Sequence, residues 1–384
     1  MCYYTVIYEG DIVDKFSLIE KYLEFNRRFS FDKEDLRRNI ELGKRKLQNN
    51  NLSRKMRQNI KIDIATFERF LKDDFEYKND GCYEYSTPSN IDKLRDFILV
   101  KMQKQYNMLG YDIIKFIIEL SEMRIFEENL ATSNATMLAM DEQIELLFKN
   151  YEKNSPKFLL PAKEIILDEK VHQIQIIEDE DSYCHYDSIS GRSYLLINNT
   201  DAPCIFNHEV EHAIEEYFKY HTNYIYDELG AILNEMLFNE EIFKYKGYLL
   251  EGDFDFRLDE FGYLLKSISE YFKVLLFFAG KNFNVSTNEM IQAFVGSGVV
   301  SKKDIFEYLT EDIATNWVET QMGYLFSFLK ALELRELFIN SNTDSFYILE
   351  RYLKSKKFVF RKPKDGYMLY ERYIDDVKTK TRKK

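Results

Sequence analysis

Residues His208, Glu209, Val210, Glu211 and His212 spell HEVEH. On a helix, positions four apart lie on one face, one turn above the other. Both imidazoles can therefore meet a single metal ion, while Glu209 stands beside them to hold a water. This is what metal-assisted hydrolysis needs: a cation to polarise the bond being broken and a carboxylate to take the proton of the attacking water. The competing reading of the pentapeptide alone is a solvated helix whose charges happen to fall one turn apart.

A catalytic zinc keeps three protein ligands and one open position, so a third donor must come from elsewhere in the chain. Glu228 lies sixteen residues after His212. The stretch Tyr220 to Tyr226 reads as a turn, and a helix beginning near Asp227 can fold back antiparallel and carry a first-turn carboxylate to the metal. Glu235 follows two turns later on the same face, suited to accept the remaining ring N–H of a ligating histidine and so fix its tautomer. His172, His185 and His221 read as ordinary strand or loop residues. The acidic cluster Glu178 to Asp181 reads as a solvated turn.

The segment SYLLINNTDAPCIFNHEVEH, followed by DELGAILNEML, resembles the active-site region of the thimet oligopeptidase and oligoendopeptidase F family of zinc peptidases. That family shows an edge strand ending in LLN, then an HExGH helix, then a helix opening with Glu and running into a small residue and NE. SYCHYDSISGRSYLLIN is similar to the family's hairpin before that strand, and MGYLFS, Met322 to Ser327, to its late helix. The resemblance implies one zinc ion held by His208, His212 and Glu228, with Glu209 as general base and Tyr324 hydrogen-bonding the scissile carbonyl. It further implies that Ser193 to Asn198 is an edge strand along which a peptide lies, giving Tyr194, Leu195, Leu196, Ile197 and Asn198 as substrate contacts. The implied fold is mainly α, a helical zincin-like metallopeptidase with a small β-sheet beside the HExxH helix, and the implied substrates are short oligopeptides. The resemblance covers about Ser182 to Glu241 and a patch near Tyr324. Glu211 stands where the family has Gly, Glu215 where it has His, and Asp312 and Trp317 where it has His and Tyr. These departures support a second reading, a zinc-binding helical interaction or sensor protein with altered catalysis; a third, a protease specific for one protein target, shares the peptidase chemistry.

The elements that must position this group are written in the composition. The chain has 384 residues, 46.1 kDa, 45% hydrophobic residues, 31 Phe and 28 Tyr, which excludes intrinsic disorder and a disulfide-stapled scaffold. Only 5 Pro and 14 Gly favour long helices over a turn-rich β fold. A helical amino-terminal region, 1–156, and a catalytic region, 157–384, are expected. From Asp14 to Asn154 apolar residues such as Phe97, Ile98, Met102 and Tyr106 recur every three to four positions. Between Arg27 and Lys61 there are 12 basic and 4 acidic residues, interleaved with Leu36, Ile40, Leu42 and Leu47 as on a solvated helix face, and Gln48 to Ser53 reads as a bend between antiparallel helices. After Pro156, Glu164 to Leu167, Val171 to Ile177 and Ser193 to Asn198 read as short strands; from Cys204 helical periodicity returns and runs to about Phe358.

A net charge of −12 speaks against nucleic acid or an anionic membrane as the main partner. The longest apolar run, Val274 to Ala279, is far too short to cross a bilayer. MCYYTVIYEGDIVDKF lacks a basic region followed by an apolar core, and Cys2, Cys82, Cys184 and Cys204 form no CxxC pair, so a cytoplasmic protein with reduced thiols is expected.

Overall fold

The computed structural model describes residues 30–49, 51–76, 89–106, 108–123, 140–167, 174–177, 180–198, 203–218, 228–246, 254–278, 306–307, 309–310, 317–341 and 362–382. These are mostly helical, with one three-stranded sheet. They fall into two compact units, drawn from Met1–Tyr77 with Glu164–Asp201 and from Lys78–Lys163 with Ala202–Lys384. The division expected between residues 156 and 157 therefore falls inside the second unit. The strands lie further on, from Ile174, and pack with helices from far upstream.

The first unit opens with α1 (Lys33–Leu47) and α2 (Arg54–Phe70), an antiparallel pair. Asp32 caps α1 by accepting from the Glu34 N–H, and Ser53 caps α2 by accepting from the Met56 N–H. The expected bend thus lies between the helices, and Arg57 donates to the carbonyls of Leu47 and Asn49, satisfying the end of α1. The interleaved basic residues Arg37, Arg38, Lys44, Arg45, Arg54 and Lys55 are exposed, as a solvated face requires. Leu36, Ile40, Ile60, Ile64 and Phe67 turn inward and meet Tyr194 and Leu196 of the sheet in one apolar core.

The sheet comprises β1 (Ile174–Ile177), β2 (Tyr183–Asp187) and β3 (Arg192–Asn198), in the order β1-β3-β2. β3 runs parallel to β1, with Ile174 opposite Leu195, and antiparallel to β2, with His185 opposite Tyr194. The β2–β3 turn at 188–191 is set by Asp187, whose carboxylate accepts from the N–H groups of Ile189 and Ser190, and by Gly191 at φ +74°. Glu164–Leu167, expected as a strand, is instead the last turn of a helix, Pro156–Leu167. Phe158, Ala162 and Ile166 are buried along it, with Pro161 beside them, and their spacing of four is a helical stripe that the Ile-Ile-Leu run masked.

The second unit contains α3 (Ile91–Tyr106), α4 (Gly110–Glu122), α5 (Met140–Asn154), the first part of α6 (Pro156–Leu167), α7 (Pro203–Tyr217), α8 (Leu229–Lys246), α9 (Phe254–Phe278), α10 (Trp317–Ser341) and α11 (Pro363–Arg382). Its core joins Ile113 and Ile117 of α4, Ile232 and Met236 of α8, Phe272 of α9, and Leu325 and Leu332 of α10. α8 packs against α5, α7 and α10. Every residue of α8 from Leu229 to Phe238 is buried, so this stretch is a central helix with no solvated face. No described helix is long and apolar enough to cross a membrane.

Candidate metal centre

α7 begins with Pro203 at its first position, where a missing N–H costs nothing. It is a buried helix that nevertheless carries charge: His208, Glu209, Glu211 and Glu215 are all under a tenth exposed. The cost of burying so many ionisable groups has to be offset by partners, and such concentrations mark functional sites.

His208 and His212 stack one turn apart, their rings 4.7 Å apart and nearly perpendicular, with the two Nε2 atoms 3.0 Å from each other. Glu228 is the residue just before α8, and its carbonyl accepts the first helical N–H, that of Ile232. The positive end of the helix macrodipole therefore favours its carboxylate. Its Oε2 lies 3.1 Å from Nε2 of His208 and 3.3 Å from Nε2 of His212. That oxygen is buried and accepts no hydrogen bond with proper geometry.

The three atoms thus form a nearly equilateral triangle, and the three residues are a group able to hold a metal ion. The size of the triangle tests the fit. Four-coordinate sites with bonds of 2.0–2.2 Å separate their ligand atoms by roughly 3.3–3.6 Å, close to the spacing here. Two imidazole nitrogens and a carboxylate oxygen also form a donor set suited to zinc, and an orphaned buried oxygen is what a cation would satisfy.

Glu235, seven residues along α8 from Glu228, meets Nδ1 of His208 with Oε1. A proton on Nδ1 is thereby favoured, and in the neutral ring Nε2 is left as a lone pair facing Glu228 and His212. Burial works against charge on His208, but Glu235 and then Glu228 more than compensate and hold its pKa up to about 10. Burial likewise opposes charge on His212, and Glu228 outweighs it, raising that imidazole too. For Glu228 burial is outweighed by His212 and His208, and the carboxyl titrates far below the usual carboxylate range.

Glu209 is buried on α7, and its charge is felt by both imidazoles. Tyr324 lies on α10, partly buried against the core of the second unit. Glu211 and Glu215, the two departures from the family pattern on the motif helix, are 1% and 6% exposed. Glu211 accepts from Tyr151 and Asn234, and Glu215 brings Oε2 to 4.0 Å from Nδ1 of His212. No local pattern could have revealed Tyr151 or Asn234, because they reach Glu211 from two other helices.

The expected edge strand requires correction. β3 is the middle strand, paired on both sides over Leu195 and Leu196, and Tyr194, Leu195, Leu196 and Ile197 are at most 1% exposed. The Tyr194 hydroxyl is occupied by Asn39 and Asp35, and Asn198 by Ser182 and Glu180. With β1 and β2 using its backbone, β3 has no free edge for a peptide at those positions. His172, His221, Asp312 and the turn at 220–226 lie outside the described residues, and Trp317 opens α10.

No protein-family model and no curated protein matches the chain. Among solved structures, it is similar to a Chlamydophila abortus protein assigned provisionally as a peptidase (15% identity, TM-score 0.37), covering 84% of this chain and 61% of that one. It is similar also to a Bacillus anthracis strain Ames protein assigned provisionally as an oligoendopeptidase F (13%, TM-score 0.38; 84% and 62%). A third is a Colwellia psychrerythraea protein described provisionally as a lipoprotein (12%, TM-score 0.31; 88% and 66%). The chain spans less than two thirds of the length of each of the first two, and about two thirds of the third.

Proposed function

We propose that the chain is a zinc-dependent metallopeptidase of the thimet oligopeptidase and oligoendopeptidase F kind, hydrolysing peptide bonds of short oligopeptides. The observation that carries the reading is the convergence of His208 Nε2, His212 Nε2 and Glu228 Oε2 within 3.3 Å of one another. These three residues would hold the ion. Zinc so held would supply Lewis acidity and a lowered pKa for a bound water.

The chain's own groups do the rest. Glu209 takes the proton of the attacking water and returns it to the departing amine, so its carboxylate must be ionised at the start of the cycle. Glu235 keeps His208 in the tautomer whose Nε2 is a donor atom. Tyr324, on the helix packed against α8, donates a hydrogen bond to the carbonyl oxygen as negative charge develops on it. The burial of His208, Glu209 and Glu235 lowers the local dielectric and strengthens the interactions among them.

The test is incubation with a quenched peptide library, with and without chelator, beside Glu209→Gln. Cleavage lost in both controls supports the peptidase. Stoichiometric zinc with no cleavage of any peptide overturns it in favour of a zinc-binding interaction protein, and cleavage confined to one folded protein narrows it to a dedicated protease.

A further inference from the structure

Behind the candidate metal group, on the side of α7 and α8 that faces α5, lies a connected set of buried polar side chains. Tyr151 Oη donates to Glu211 Oε2 at 2.7 Å, and Asn234 Nδ2 approaches the same oxygen at 3.0 Å and Tyr151 Oη at 2.9 Å. Asn150 Nδ2 donates to Asn234 Oδ1 at 2.8 Å, and Asn154 Nδ2 to Asn150 Oδ1 at 2.7 Å. All five residues are at most 7% exposed.

Their positions in the chain are as informative as their contacts. Glu211 immediately precedes His212, and Asn234 immediately precedes Glu235. Tyr151 belongs to a third helix and bonds to Glu211 while Asn234 bonds to both. We propose that Tyr151, Glu211 and Asn234 are positioning residues that hold α7 and α8 in the one axial register at which His208, His212 and Glu228 can share a cation. The inference rests on the metal-centre reading and adds to it the means by which the ligand triangle is held.

The argument is one of tolerance. A helix rises 1.5 Å per residue, so a slip of α8 along α7 by a fraction of a residue moves Glu228 by more than the ~0.2 Å a metal site accepts. Apolar packing between the helices does not forbid such a slip, since it has no preferred direction. A three-cornered hydrogen-bonded group does, because no corner can move without breaking two bonds in a medium that offers no replacement. A buried carboxylate is a poor choice for stability, as apolar side chains of similar volume pack at least as well. Its presence beside two of the proposed ligands is explained by register.

The test uses Tyr151→Phe and Asn234→Leu in the full chain, both of which leave the charge of the site unchanged. Zinc affinity is measured by competition with a chromophoric chelator, cobalt coordination by its visible absorption, and urea unfolding in chelator gives the stability of the metal-free form. The expected result is zinc binding weaker by about 10–100-fold in each variant, with altered cobalt absorption and a far-UV spectrum like the parent's. Variants that lose stability but bind zinc as tightly as the parent overturn the register role and leave a structural one. A parent chain that takes up no stoichiometric zinc overturns the metal reading itself, and with it this inference.

Discussion

Glu235 and His208 are both almost fully buried, and the carboxylate of the first meets Nδ1 of the second from the neighbouring helix. The contact fixes which nitrogen of His208 is available as a donor atom. Glu235→Ala should therefore weaken zinc binding by about 10–100-fold while sparing the fold, and Glu235→Gln, which keeps an accepting oxygen, should recover part of the loss. Chelator competition on the three proteins reads the difference.

Separation of binding from turnover is expected between Glu209 and the triangle. Glu209→Gln should retain zinc and lose peptide cleavage by about 10²–10⁴-fold, the usual worth of a general base. His208→Ala and Glu228→Ala should lose the zinc itself. Metal analysis of the purified variants beside a peptide assay distinguishes the two classes.

Tyr324→Phe removes one hydroxyl from a residue partly buried against the core. If it serves the developing oxyanion, kcat should drop by roughly 10²–10³ with little change in KM. An unaltered kcat would assign Tyr324 to packing alone.

The metal-free protein should lose stability as the solution turns basic. His208, raised from 6.5 to about 10, contributes stability that is complete below pH 6.5 and disappears as pH climbs through 10. Glu211, raised from 4.5 to about 8 by burial, favours its protonated form, so folding is also penalised as pH climbs from 4.5 through 8. Both act in one direction. Glu228, depressed, adds stability above its ordinary value of 4.5 and loses it in acid. Thermal unfolding in chelator should give a maximum on the mildly acidic side and a decline toward pH of about 9. Added zinc should protect more as pH rises, since binding displaces protons from the imidazoles.

In the first unit, Gly43 lets α1 lie close to its neighbours: a Cβ there would come within 2.6 Å of Ile189 Cδ1 and 3.0 Å of Ile64 Cγ1. Gly43→Ala should destabilise by about 1–2 kcal/mol, overpacking outweighing the gain in helix propensity. Chemical denaturation reports it.

What could be read from the chain alone follows a physical division. The pair His208 and His212 and the two-turn spacing of Glu228 and Glu235 are set by the helical period, which is local and visible in the letters. The middle position of β3 was invisible, because strand order depends on which distant segments pair and no residue of SYLLIN records it. The burial of Glu211 was hidden for a related reason. α7 and α8 are buried over most of their length, so amphipathic contrast, the usual guide to a solvated face, is weak in both. A carboxylate on α7 looks exposed until Tyr151 and Asn234 arrive from elsewhere.

The two-segment make-up of the first unit has a consequence for synthesis. The apolar face of α1 and α2 is closed by Tyr194 and Leu196, and the ribosome reaches the end of β3 only after adding 128 residues beyond Phe70 (198 − 70). At 5–20 residues per second, the sheet's share of this core follows α2 by roughly 6–25 s. The core of the first unit is therefore completed late in synthesis, and a pause in translation before β3 would delay it further.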